Sequence, residues 1–210
     1  MIDHLVFASD DLPTASALIT ELLGVAPTPG GSHLGKGTRN ELLSLRGATY
    51  LEVIGPDDAQ PAPDGPRPFG IDDLIEPALV AWCVRPSRPL REIVAEARKA
   101  GIEFGDVSAM SRRRPDAVLL QWELTVPQLD GPFGRALPFM IDWADSSHPT
   151  ETLPPAVRLV GLDVAHPQPG KLRTAFDIIG LTSDVSVHES DEQALRATIA
   201  TAGGEVTLTS

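Results

Sequence analysis

Glu52 lies in the run "YLEVIG", which otherwise reads as the interior of a strand. A carboxylate there is costly unless something pairs it, so the chain supplies a partner or leaves Glu52 in water. Strand parity offers a partner. Leu51 and Val53 face one way, and Tyr50, Glu52 and Ile54 the other. In "IDHLVFA", Leu5 and Phe7 share one face, and His4 and Val6 share the opposite one. If the two strands are neighbours with their aliphatic faces under a helix, His4 meets Glu52. Imidazole and carboxylate then form ligands for a borderline divalent metal, an acid–base pair or a structural ion pair. Spacing alone does not choose among the three.

A second set of polar residues precedes Glu52. The stretch "GGSHLGKGTRN" reads as a glycine-rich turn holding His33. Gly30, Gly31, Gly35 and Gly37 would let backbone amides approach a small polar group. Thr38 and Asn40 follow at alternate positions, so both side chains leave a strand in one direction. With His33 they could ring the mouth of a pocket. A tight loop needing positive φ, with Asn40 satisfying its backbone, explains the same pattern. The spacing is that of no nucleotide-binding loop. Further on, "MSRRRPD" clusters Arg112, Arg113 and Arg114 in an acidic chain. One of them, taken as Arg112, could clamp a substrate carboxylate bidentately, while the others read as a solvated hairpin entry. Trp122 alternates with Leu120 and Leu124 as core or as the wall of a cup. Cys83, between apolar neighbours, reads as an inert thiol. His148, His166 and His188 fall in polar stretches and receive no role.

The elements that must position these residues recur along the chain. "IDHLVFA" predicts a strand, Asp10 or Asp11 caps a helix starting at Leu12 or Pro13, and Gly24 ends it. Strands over 37–46 and 48–54 complete a β-α-β-β-β unit. Residues 79–104 repeat a strand, a proline-bearing turn, a helix ending at Gly101 and a strand, followed by the strands "AVLLQWELT" and "PFMIDW". The pattern starts a third time at residue 158, with a helix from about Gly170 to Ile179 and strands in "SDVSVHES", "ALRATIAT" and "GEVTLTS". This division gives module 1 at 1–55, a proline-rich connection at 56–77, module 2 at 78–144, a linker at 145–155 and a C-terminal βαβββ-like module at 156–210. The 56–77 segment is a plain connection or doubles as a lid. The stripe of Leu172, Ala175, Phe176 and Ile179 predicts that the third module packs on the others or on its copy in a twofold dimer.

The 210 residues suit one large domain or two small ones, and 42% hydrophobic content supports a sizeable core. A net charge of -12 disfavours nucleic acid and anionic membranes as partners. A single cysteine permits no internal disulfide. The N-terminal residues resemble no signal peptide, and no apolar run is long enough to span a bilayer. The cytoplasm is the simplest address.

"DHLVFASDDLPTASALITELLG", "GGSHLGKGTRN" and "YLEVIGPD" resemble the vicinal oxygen chelate superfamily, and within it the glyoxalase-like-domain proteins. "RPFGID", "LVAWCVR", "MSRRRPDAVLLQWEL", "LPFMIDW" and "VRLVGLDVAHPQP" carry the likeness over nearly the whole chain. The resemblance implies an α+β fold of repeated βαβββ modules, two of them forming a curled sheet cup, with the third as an addition. It also implies a divalent metal (Zn, Ni, Mn or Fe) held by one ligand from the first and one from the fourth strand of each module. His4 and Glu52 match the first-module positions. Aligning the proline turns sets Trp82 opposite His4, and aligning "FMIDW" with "YLEVI" sets Ile141 opposite Glu52. Neither residue binds a metal, so the set is incomplete. His33, or Asp142 after a register shift, could add a ligand. Without a metal, His4 and Glu52 would hydrogen-bond a ligand, and Trp82 would form an apolar wall.

Three functions follow from these readings. The first is a small-molecule site between modules 1 and 2 on a glyoxalase-like scaffold, a lyase or isomerase acting beside a carbonyl. Glu52 and His4 would be its catalytic residues, and His33, Thr38, Asn40, Trp82, Arg112 and Trp122 would bind substrate. The second is a protein that sequesters a metabolite or drug without turnover. The third is a metal-dependent ring-cleaving dioxygenase, which needs two histidines and a carboxylate.

Overall fold

The structure, a computed structural model, describes residues 1–114, 116–126, 128–181 and 185–210. The first half contains β1 (Ile2–Ala8), α1 (Leu12–Leu23), β2 (Thr28–His33), β3 (Thr38–Ser44) and β4 (Tyr50–Pro56). The second contains β5 (Ala78–Val84), α2 (Leu90–Lys99), β6 (Val107–Arg113), β7 (Leu119–Thr125) and β8 (Phe139–Asp142). Helix α1 begins and ends where its end residues dictate. The Asp11 carboxylate accepts from the Thr14 amide, Pro13 sits in the first turn, and Gly24 closes the helix at φ 71°.

The strands form a closed barrel in the order β1-β4-β3-β2-β6-β7-β8-β5. Each half contributes a sheet whose first and last strands run parallel, β1 with β4 and β5 with β8. The halves join antiparallel through β1–β5 and β2–β6. The expected cup is thus closed all round. A barrel of eight strands leaves an interior sized for side chains or one small ligand. Two cores result from the alternation. Leu5, Phe7, Leu51 and Val53 pack outward under α1, and Val6, Tyr50 and Ile54 pack inward.

One feature of β2 escaped sequence reasoning. The glycine-rich stretch is a strand from Thr28 to His33, not a turn; the turn is confined to residues 34–37. The glycines are needed at the seam between the halves. A Cβ on Gly31, at φ 150°, would sit 2.0 Å from the Arg113 carbonyl oxygen. A Cβ on Gly30 would sit 2.2 Å from Asn40 Oδ1 and 2.8 Å from Arg112 Nη1, inside the barrel.

The third unit contains β9 (Arg158–His166), α3 (Pro169–Ile178), β10 (Val185–Glu189), β11 (Ala194–Thr201) and β12 (Gly204–Thr209). Ser183 and Asp184, which open the run expected as β10, lie outside the described residues. The β-α-β-β-β order recurs, but the pairing does not. β9 is central, parallel to β10 and antiparallel to β11, in the order β10-β9-β11-β12. The unit packs on the barrel. Phe176 of α3 meets Trp82 edge-on, with ring centroids 5.4 Å apart, and the Leu159 amide bonds the Leu45 carbonyl. No helix among the described residues is long and apolar enough to cross a membrane.

Candidate functional site

Inward-facing side chains leave a cavity of about 250 Å³ at the barrel centre. The Glu52 carboxylate, 7% exposed, is the acidic group in its wall among the described residues. β1 and β4 are paired with His4 opposite Tyr50 and Val6 opposite Glu52, so His4 and Glu52 are diagonal neighbours on one face. His4 Nε2 stands 3.8 Å from Glu52 Oε2. From the opposite side His33 Nε2 stands 3.5 Å from Glu52 Oε1. Asn40 Nδ2 donates to Oε1. The buried carboxylate is therefore partnered from several strands.

The protonation pattern follows from what each group can do. Arg112 Nη1 donates to Asn40 Oδ1 at 2.9 Å, which fixes the amide with Nδ2 facing Glu52 and His33. His33 Nε2, 3.3 Å from that Nδ2, must accept, so its Nδ1–H donates to Thr38 Oγ1 at 3.1 Å. Burial, opposed by Glu52 and reinforced by Arg112, lowers the His33 pKa to about 4, so the ring is neutral near pH 7. On the other flank Asp3 Oδ1 lies 2.7 Å from His4 Nδ1. Burial opposes Asp3 ionisation, but hydrogen bonds from His148 and His4 outweigh it and hold the carboxyl well below the usual carboxylate range. Ionised Asp3 only accepts, so His4 Nδ1 carries a proton and Nε2 is the ring nitrogen that faces Glu52. Tyr50 stacks on His4 at 4.7 Å.

The remaining wall is mostly apolar. Phe139 and Ile141 come from β8, Met110 from β6, Trp122 and Leu124 from β7, and Phe69 and Pro68 from the connection after β4. That connection covers the cavity, with Phe69 at φ 63° packed 5.7 Å from Phe139.

The structure brings together His4, His33, Thr38, Asn40, Glu52, Arg112 and Trp122. It does not bring Trp82. The β1–β5 register pairs His4 with Cys83 and Leu5 with Trp82. A shift of one residue reverses the face, so Trp82 points outward, its Nε1 donating to the Ala136 carbonyl at 3.2 Å. The expectation that Trp82 walls the pocket is corrected accordingly. Arg113 and Arg114 are likewise outside, against the Ala117 carbonyl and Asp116.

Asp3 and His148 were missed. His148 Nε2 and Trp143 Nε1 lie 3.1 and 3.2 Å from Asp3 Oδ2. A histidine in a polar linker and an aspartate beside His4 carry no sequence signal that they meet.

The donor set can be compared with the four-ligand metal of the resembled fold. Cys83 pairs with Phe139 as His4 pairs with Tyr50, so Cys83 and Ile141 are the second-half counterparts of His4 and Glu52. Ile141 offers no ligand atom. The Cys83 thiol is wholly buried, and burial first, then Asp3, raises its pKa well above the ordinary value. Asp142 is exposed and accepts from the Ala144 amide. The Asn40 amide already bridges His33 and Glu52, and the Arg112 cation sits behind it. Ligand atoms of Asp3, His4 and Cys83 lie within 4.8 Å of one another, but Asp3 already accepts from His4, Trp143 and His148, and burial favours the protonated Cys83 thiol. The residues present do not fit a resident four-ligand metal.

The glyoxalase-like domain family pattern matches residues 2–179. No curated protein sequence matches the chain. Among solved structures, a hypothetical protein from Staphylococcus aureus is similar at TM-score 0.60 and 14% identity, over 99% of this chain and 84% of that one. Methylmalonyl-CoA epimerase from Mycobacterium tuberculosis gives TM-score 0.39 and 18% identity, over 67% of this chain and 84% of its own. The Mn(II)-bound glyoxalase from Novosphingobium aromaticivorans gives TM-score 0.46 and 10% identity, over 98% and 81%. By the match over residues 2–179, the chain belongs to the glyoxalase-like domain family.

Proposed function

We propose that the protein moves a proton within a small molecule held in the barrel cavity, at a carbon beside a carbonyl, as an isomerase or lyase would. The observation that carries this reading is Glu52 in a mostly apolar cavity with His4 Nε2 3.8 Å away and the far side of that imidazole bonded to Asp3. Glu52 takes the proton of the C–H bond, and the bonding electron pair moves onto the carbonyl oxygen as an enolate. Protonated Glu52 returns the proton to the same carbon, which inverts that centre when the other face is protonated, or passes it to His4 Nε2, where Asp3 stabilises the imidazolium. Neutral His33 and Asn40 orient the carboxylate. General-base catalysis of this kind supplies about 10²–10⁴-fold in rate.

The test is hydrogen–deuterium exchange in D2O, followed by NMR, with 2-oxobutanoate, 2-oxohexanoate and their methyl esters. Exchange above the buffer rate, lost about 10²-fold or more in Glu52→Gln, supports the reading. Binding without exchange would replace it with sequestration. One observation favours that second reading: the Asn40 hydrogen bond already occupies one oxygen of Glu52.

A further inference from the structure

Arg112 is a buried cation with an unmet need. Its side chain is 4% exposed, yet no carboxylate among the described residues lies within ion-pairing distance of it. Its nearest negative group, Glu52, is reached only through the Asn40 amide. Nη1 is committed to that amide, and the buried Nε–H has no hydrogen-bond partner among the described residues. Trp122, 8% exposed, is in the same condition: its Nε1–H is buried without a partner among them. Met110 and Trp122 are paired across β6 and β7, and Arg112 follows Met110 on the same inner face, so both residues belong to one wall of the cavity.

Leaving a buried donor unpaired costs about 1–3 kcal/mol, and more for a charged group. A buried cation without a counter-charge costs more again. Two such donors on residues of one wall favour a ligand that brings an acceptor. We infer that the molecule bound in the cavity is a small, largely apolar carboxylic acid whose carboxylate is held by Arg112 Nε–H and Trp122 Nε1–H.

The chemistry narrows the class in three ways. The guanidinium edge that carries Nε matches a planar carboxylate bidentately through its neighbouring Nη2. Lys36 at the cavity wall adds a second cation, which offsets the charge of Glu52 when an anion enters. The rest of the ligand meets Leu124, Phe139 and Ile141 and must be apolar. The cavity, about 250 Å³, lies just below the range of about 300–1,000 Å³ usual for ligand pockets, so the acid is small. This substrate class rests on the cavity being the site of the proposed reaction, but binding alone tests it.

The experiment pairs acids with their neutral amides: butanoate with butanamide, hexanoate with hexanamide, benzoate with benzamide. Affinity is read by quenching of tryptophan fluorescence and by thermal stabilisation. At least one carboxylate binds and its amide binds about tenfold more weakly or not at all, as a lost charged hydrogen bond predicts. Arg112→Gln loses the carboxylate preference, and Trp122→Phe weakens carboxylate binding several-fold. If Arg112→Gln does not fold, Arg112→Lys takes its place, keeping the charge and losing the planar edge. Equal binding of acids and amides, wild-type binding by both variants, or no binding by any acid overturns the inference. Carboxylate binding without C–H exchange would leave it standing and remove the reaction proposed above.

Discussion

His4 Nδ1 and Asp3 Oδ1 lie 2.7 Å apart, although the two residues are adjacent in one strand. Adjacent side chains in a regular strand point to opposite faces. The β1–β5 pairing slips between Ile2 and His4, bracketing Asp3, and such irregularities re-aim side chains. Asp3 therefore turns in behind His4, where Arg85 Nε also approaches to 3.7 Å. The slip brings the Asp3 carboxylate against His4 Nδ1, where it keeps a proton on that nitrogen.

Asp3→Asn tests that relationship. The amide removes the charge and faces three N–H donors with a single acceptor oxygen. Stability in urea should fall by about 1–3 kcal/mol. Proton exchange should fall about tenfold or more, since His4 loses the group that orients it and supports its cation. An unchanged exchange rate would reduce Asp3 to a structural residue.

His33 gives the pH dependence. Its pKa in the folded chain is lowered to about 4, by burial first, against 6.5 for an exposed ring. Between these values the unfolded chain binds the extra proton and the folded chain does not, so stability rises with pH through this window. The contribution is fully present above about pH 6.5 and is lost progressively on acidification toward about pH 4, with an upper bound of about 3 kcal/mol. Urea midpoints at pH 5 and 7 should differ in this sense, and His33→Gln should flatten the difference. A wild-type midpoint higher at pH 5 than at pH 7 would contradict the burial argument.

Metal removal should do nothing to the fold. Ile141 stands where the second carboxylate would be, and Asn40 and Arg112 occupy the space beside Glu52. Dialysis against a chelator should leave the melting temperature unchanged, and elemental analysis of purified protein should find zinc, nickel, manganese and iron well below one per chain. Stoichiometric metal lost in His4→Ala would show that the side chains rearrange around an ion.

Much of this was legible because strand parity is rigid. The faces of "IDHLVFA" and "YLEVIG" follow from period two alone, and both strands are regular enough to keep it at His4 and Glu52. Trp82 was misplaced because aligning proline turns ignores slips in pairing, and a one-residue error inverts the face. The glycine-rich strand was read as a turn because glycine signals turns locally. Its reason for being a strand is the close approach of β6, which belongs to the other half of the chain. Asp3 and His148 are separated by 145 residues, and no local pattern marks such a meeting.

The third unit offers the last test. Leu172, Ala175 and Phe176 of α3 are buried in the same core as Trp82 and Val84 of the barrel. Val157 and Leu159 bond through their amides to the carbonyls of Ser44 and Leu45, at the end of β3. Removing residues 155–210 would therefore bare the outer face of β5 and leave Trp82 against water. Losing the Trp82–Phe176 contact and the burial of a side chain of that size costs on the order of 3–5 kcal/mol, and a patch of this kind promotes association. The truncated protein should melt several degrees lower and aggregate at concentrations where the full chain does not. A truncated chain that stays monodisperse by light scattering and keeps its melting temperature would show that the unit is an appendage and that the barrel tolerates an exposed Trp82.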